Sequence, residues 1–258
     1  MTAPPLSPAG LLLEVCVQAP TPQRSQSISA LTSGDPGWAE LLWLAVEHKA
    51  ECLIADALTR PPFAEALPDR LDRLLTRLLR ANQHAVAVYR AEAAHLMTLL
   101  GVSGIRAMAT GGIAVESTLY DGRGGRQFSD LDLVICPPDL TALARLLTRR
   151  GYLPGRPGGR PTAHIWHRAS EDALVPFVVI DLHTTFTGKP EEDAEMLEQA
   201  LAPRTTQTIP GHPEALLPVP PPELLLRHAR ALAEQDARVR RPISLRLRAD
   251  IARLEIQA

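Results

Sequence analysis

The sequence predicts an α+β protein: a small mixed β-sheet core with its own helices, flanked by N-terminal and C-terminal helical segments. Two patterns predict this class. Apolar residues recur at helical spacing across residues 38–58, 68–100 and 223–254. Residues 105–109, 131–135 and 176–183 are instead short runs that alternate in polarity or are dense in β-branched side chains. A composition of 45% apolar and 22% charged residues is that of an ordinary globular protein, and 258 residues suffice to bury a sizeable core. The expected organisation is a flexible leader over 1–36, an N-terminal helical region over 37–100, the mixed core over 101–188 and a C-terminal helical region over 189–258.

The leader is assigned by its content of Pro, Ser, Thr and Gln, with one short apolar run over 11–17. From Trp38 the spacing of Leu41, Leu42, Leu44, Ala45, Leu53, Ile54, Ala57 and Leu58 predicts a helix or helix pair, which Pro61-Pro62 ends. A second helix is expected over 68–100. It carries Leu71, Leu74, Leu75, Leu78 and Leu79 on one face and arginines on the other, and Gly101 closes it. A strand over 105–109, a turn at Gly111-Gly112, a helix over 113–120 and a glycine-rich loop over 122–125 follow. Leu131, Leu133 and Ile135 alternate with Asp130, Asp132 and Val134 as a strand that Pro137-Pro138 terminates. A helix over 139–150 and a buried strand over 176–183 complete the core. Beyond it the expectation is an acidic helix around 191–201, a proline-broken connector up to Pro222, and helices over 223–237 and 243–254.

A formal net charge of -2 argues against a protein that coats nucleic acid by bulk electrostatics, and an aromatic content of 4% leaves few platforms for stacking bases. Cys16, Cys52 and Cys136 lie far apart and form neither a disulfide framework nor a zinc motif. The N-terminus lacks the cationic-then-apolar order of a signal peptide, because Glu14 interrupts the short apolar run. A cytoplasmic protein without a membrane partner is expected.

Asp130 and Asp132, separated by one residue, would project from the same face of a strand about 7 Å apart along the backbone. Two neighbouring carboxylates repel and raise each other's pKa unless a cation joins them, and a hard divalent ion with oxygen ligands is the natural partner. Asp181, at the end of the run Val178-Val179-Ile180, supplies a third acid on another strand. Upstream, Thr110-Gly111-Gly112 between a strand and a helix makes a turn whose backbone N–H groups could meet an anion at a helix N-terminus.

In that order, a glycine turn after the first strand, an acid-x-acid pair on the next and a third acid on a neighbouring strand, the chain resembles the DNA polymerase beta-type nucleotidyltransferase superfamily. More narrowly, Gly111-Gly112-Ile113-Ala114, Leu119-Tyr120-Asp121, Arg126, Asp130-Leu131-Asp132-Leu133-Val134, Leu146, Gly151-Tyr152 and Ile180-Asp181-Leu182-His183 resemble bacterial nucleotidyltransferase-like proteins encoded beside peptide or polysaccharide biosynthesis genes. One departure is that Thr110 stands where such proteins usually carry a lysine.

The resemblance implies transfer of a nucleoside monophosphate from a Mg²⁺-bound nucleoside triphosphate (NTP), with Mn²⁺ as the alternative ion, onto a small-molecule or peptide acceptor in a biosynthetic or resistance pathway. Asp130, Asp132 and Asp181 would be the catalytic and metal-binding acids. Gly111, Gly112, Arg126, Ser129 and His228 would bind nucleotide, and His183 would meet acceptor or phosphate. Residue chemistry leaves second readings beside these. Arg126 could bridge to an acid rather than grip phosphate, and His183 could be a buried structural histidine. His164 and His167 read as a solvent-facing strand rather than metal ligands, and Asp250 as a partner for nearby arginines. The alternatives for the whole chain are a catalytically silent binding or regulatory module, which the missing lysine motivates, and an antitoxin that nucleotidylates a toxin partner.

Overall fold

The computed structural model describes residues 6–120, 122–155, 163–185, 206–209 and 212–258, together with Asp193 and Leu197. Its first elements lie in the segment expected to be a loose leader. Helix α1 (Pro8–Val17) and helix α2 (Pro22–Thr32) each begin with a hydroxyl cap followed by proline. The Ser7 hydroxyl accepts from the Gly10 N–H at 3.2 Å and the Thr21 hydroxyl from the Arg24 N–H at 3.0 Å. The Ser-Pro and Thr-Pro pairs that resemble disordered composition are therefore helix starts, since proline fits the first helical position and a hydroxyl satisfies an orphan N–H. Leu12, Leu13, Cys16, Val17 and Ile28 are buried, so the segment is part of the core and the expectation of a flexible leader is corrected.

Helix α3 (Trp38–Glu47) and helix α4 (Glu51–Leu58) form the expected pair. Helix α5 (Asp69–Val102) is 34 residues long. It does not stop at Gly101. It continues to Val102, and Gly104, at φ +67°, makes the reversal while the Ile105 N–H reaches back to the Leu100 carbonyl at 3.0 Å.

The main sheet has the order β1-β2-β5-β4-β3. Strands β1 (Ala107–Ala109) and β2 (Leu131–Ile135) are antiparallel, and helix α6 (Gly111–Leu119) connects them. Helix α7 (Leu140–Arg149) leads to the edge strand β3 (Leu153–Pro154), then β4 (Ala163–Ala169) and β5 (Phe177–His183). β4 lies between β5 and β3, with Trp166 buried on one face and His167 half-buried on the other. β5 runs parallel to β2, pairing Asp132 with Asp181 and Val134 with His183.

Residues 206–218 correct another expectation: where a connector was expected, β6 (Thr206–Ile209) and β7 (His212–Pro218) form a two-stranded antiparallel sheet. Both strands are edges, where proline at 213 and 218 is tolerated. The acidic helix expected around 191–201 lies outside the described residues apart from Asp193 and Leu197, both helical. Helix α8 (Pro222–Arg238) and helix α9 (Leu245–Gln257) close the fold and pack on each other.

Two apolar cores result. One joins the sheet to the second half of α5, α7 and α8, and contains Met97, Leu100, Leu131, Leu133, Leu147, Ile180 and Leu225. The other gathers α1–α4 and the start of α5 around Leu12, Leu41, Ile54, Leu58 and Leu75, and takes Val115 and Tyr120 from the α6 region and Leu245 and Ala249 from α9. α6 therefore stands between the cores and presents its N-terminus to the sheet edge.

Candidate functional site

β2 and β5 bring the acids together by register. Parallel pairing aligns Asp132 with Asp181, and the two-residue repeat of a strand puts His183 on the same face as Asp181. His183 Nε2 lies 3.0 Å from Asp132 Oδ1 and 3.7 Å from Asp181 Oδ2. One ligand atom from each of Asp132, Asp181 and His183 falls within 4.8 Å of the others, a spacing and donor set that fit a single divalent cation. Asp130 precedes β2 instead of lying on it and is outside this group of three.

The environment separates the two aspartates of the D-x-D pair. Burial and the charges of Asp132 and Asp181 raise the Asp130 carboxyl to about 6. Burial also pushes Asp132 upward, but a hydrogen bond and charge from His183, the charge of His228 and the Gly112 N–H outweigh it and leave its pKa below the usual value. Asp132 is thus held as a carboxylate beside an acid that keeps its proton more readily.

The glycine turn is shaped around Asp132. Gly111 has φ +56°, and a Cβ there would stand 1.8 Å from Asp132 Oδ2, while a Cβ on Gly112 would stand 2.3 Å from Phe128 Cβ. The Thr110 N–H donates to the Asp132 carbonyl at 2.9 Å. Thr110 itself is buried, with a hydroxyl that has no hydrogen-bond partner. In this structure the nearest anion to the N-terminus of α6 is the Asp132 side chain, so the turn sets the carboxylate in place.

Arg126 is buried and fully engaged. Its Nε and Nη2 both donate to Asp250 Oδ2 at 3.0 Å, its Nη1 donates to the Gln127 carbonyl at 3.0 Å, and the Tyr120 hydroxyl donates to Asp250 Oδ1 at 2.9 Å. The salt-bridge reading of Arg126 therefore has a partner, and it is none of the three site acids. The arginine expected for Asp250 lies 124 residues away in the chain. Glu116 anchors the same loop from beneath: fully buried in α6, it accepts from the Gly124 N–H at 2.7 Å and the Arg126 N–H at 3.1 Å. Asn82 and Gln83 on α5 donate to the Gly124 and Arg123 carbonyls at 2.6 and 2.9 Å.

Ser129 is exposed, and its carbonyl receives the Tyr89 hydroxyl. His228 on α8 is half-buried and close enough for its charge to act on Asp132. The structure thus brings Gly111, Gly112, Asp130, Asp132, Asp181, His183 and His228 to one place, with Ser129 at its rim and Arg126 behind it. Sequence reasoning missed Glu116, Tyr89 and Arg246. Only Glu116 carried a signal, a carboxyl directly after the apolar run Ile113-Ala114-Val115 in an expected helix.

A glycine turn packed on an acid of a mixed sheet, with a second acid from the neighbouring parallel strand, is the arrangement of a nucleotidyltransferase core. The chain belongs to the family described as uncharacterised nucleotidyltransferase, whose profile matches residues 34–256. A solved structure, an antigenic nucleotidyltransferase-like protein from Paracoccidioides brasiliensis, is similar at 20% identity with a TM-score of 0.48, over 66% of this chain and 76% of that one. Among curated proteins, none matches the chain. No helix among the described residues is long and apolar enough to cross a membrane.

Proposed function

We propose that the chain transfers a nucleoside monophosphate from a Mg²⁺- or Mn²⁺-bound NTP to a small-molecule or peptide acceptor. The observation that carries this reading is the convergence of Asp132, Asp181 and His183 within 4.8 Å, under the glycine turn at the start of α6. A divalent ion there would screen the phosphate charge and polarise the phosphorus that is attacked. Asp132 and Asp181 would hold it, with Asp130 completing the acidic group.

In the transfer, a nucleophilic atom of the acceptor bonds to the α-phosphorus, the bond from that phosphorus to the bridging oxygen breaks, and pyrophosphate leaves. The acceptor's proton passes to a carboxylate of the site. His183 steadies the Asp132 carboxylate through its 3.0 Å contact. The net charge and the low aromatic content support a small acceptor over a polynucleotide.

A silent nucleotide-binding module is the second reading, supported by Thr110 in place of the lysine and by the commitment of Arg126 to Asp250. Calorimetric titration with ATP, GTP, CTP and UTP, in Mg²⁺ and in EDTA, tests both. The expected result is metal-dependent binding of at least one nucleotide, abolished in Asp130→Asn/Asp132→Asn. Binding that ignores both EDTA and the double substitution would sink the metal assignment. Binding without turnover of any acceptor would favour the silent module.

A further inference from the structure

We propose that Arg246, on the first turn of α9, is the cation that grips the phosphate chain of the nucleotide, and that Arg126 is its structural support; this rests on the nucleotide reading above. Arg246 Nη1 donates to the Gln127 carbonyl at 3.1 Å, the same oxygen that Arg126 Nη1 reaches at 3.0 Å. Two guanidinium groups thus meet at one neutral acceptor, three residues before Asp130. Asp250 neutralises only one of them: its Oδ2 takes both remaining contacts of Arg126, and its Oδ1 is taken by Tyr120.

Among the described residues no carboxylate forms an ion pair with Arg246. Burial and the charge of Arg126 lower its pKa, and the charges of Asp250, Asp130 and Glu51 only partly oppose them. Its place on the helix adds to the imbalance. Ser244 caps α9, its hydroxyl accepting from the Leu247 N–H at 3.2 Å, so Arg246 stands beside the positive end of the helix dipole, where a cation is disfavoured. A second guanidinium, a helix N-terminus and no counter-charge in contact describe a position completed by an anion.

The site supplies that anion. Arg246 meets the chain at the Gln127 carbonyl, three residues before Asp130, and it and Asp130 each act on the other's charge, which puts it on the side from which a phosphate chain at the acidic group would be met. Arg126 cannot take this part without abandoning Asp250 in the interior, whereas Arg246 would give up a single bond to a carbonyl.

The test uses the full chain with two probes in Mg²⁺: whichever nucleoside triphosphate the wild type binds, and inorganic tripolyphosphate, which has no base or sugar. Arg246→Gln keeps a donor for the Gln127 carbonyl but loses the charge, and should weaken both probes at least about tenfold. Arg246→Lys keeps the charge without the planar fork and should fall between, about threefold weaker. Unfolding midpoints of both variants report their fold, and Mn²⁺ binding followed by electron paramagnetic resonance should be unchanged.

Either variant binding nucleotide and tripolyphosphate as tightly as the wild type, with its fold intact, overturns the assignment while leaving the nucleotide reading in place. If Arg246→Gln fails to fold, Arg246→Lys decides by the same criterion. A wild type that binds no nucleotide and no tripolyphosphate overturns the nucleotide reading, and this inference with it.

Discussion

The two walls of the site are built in opposite ways. On the acidic wall, Asp132, Asp181 and His183 are set by the register of two adjacent parallel strands, and Gly111 and Gly112 precede β2 in the same strand-turn-helix unit. On the cationic wall, Arg126 is held by Asp250 and Arg246 by the Gln127 carbonyl, contacts that span 124 and 119 residues. The first wall is made by secondary structure, whose spacing is printed in the sequence. The second is made by packing α9 against the loop between α6 and β2, and its charges are matched only after the chain has folded. Disturbing them should therefore have different signatures: loss of binding at the acids and at Arg246, loss of stability at the buried Arg126–Asp250 pair.

The largest stability effect is expected from Asp250→Ala, which strands the Arg126 guanidinium in the interior and removes the acceptor of the Tyr120 hydroxyl. Breaking a buried pair from one side costs about 3–5 kcal/mol, read as a shift of the urea midpoint. Arg126→Met/Asp250→Ala, with no charge left to strand, should recover much of the loss. A cost below about 1 kcal/mol for the single substitution would mean that the ion pair does not hold this wall.

Glu116 comes next and distinguishes the walls by pH. Its carboxyl is raised from 4.5 to about 7 by burial, against the pull of the Gly124 and Arg126 N–H groups and of the Arg90 and Arg126 charges. Between those values the folded chain holds a proton that the unfolded chain has released. The contribution of Glu116 to stability is therefore most favourable at low pH and declines as pH rises through 7, by about 3 kcal/mol in all. Urea midpoints at pH 5 and pH 8 should show this decline in the wild type and a smaller one in Glu116→Gln. Equal slopes in the two proteins would place the titration elsewhere.

The smallest effect belongs to Arg248, which pairs with Glu14 on α1 at 2.9 and 3.0 Å but stays exposed. Arg248→Ala should cost less than about 1 kcal/mol, and less still at high salt. A larger loss would show that the outer contact between α1 and α9, and not only the buried one in which Arg253 donates to the Val17 carbonyl, secures the cationic wall.

The same contrast explains what could be read from the sequence. α5, α7, α8, β2 and β5 announce themselves by period, and the acids and glycines come together because neighbouring strands carry them. α1 and α2 were hidden because hydroxyl caps and prolines at helix starts share their composition with disordered chain. The β6–β7 pair was hidden because proline is read against a strand unless that strand is known to be an edge. Gly101 and Gly104 are both plausible ends for α5, and only backbone torsion separates them. For Arg126 no local pattern could reveal a partner on the last helix, and Arg246 looks like any arginine of an amphipathic helix until the shared carbonyl is seen.

The position of Asp250 in the chain also bears on the order of assembly. At about 5–20 residues per second on the ribosome, roughly 6–25 s separate the synthesis of Arg126 from that of its counter-ion. The helices before α6 can collapse in that interval from local contacts, but the loop bearing Arg126 cannot enter the interior without an uncompensated charge. α9 must then seat against α1, where Arg253 donates to the Val17 carbonyl at 2.6 Å across 236 residues. The N-terminal helices become the dock for α9, and the loop bearing Arg126 can be buried only after α9 has been made.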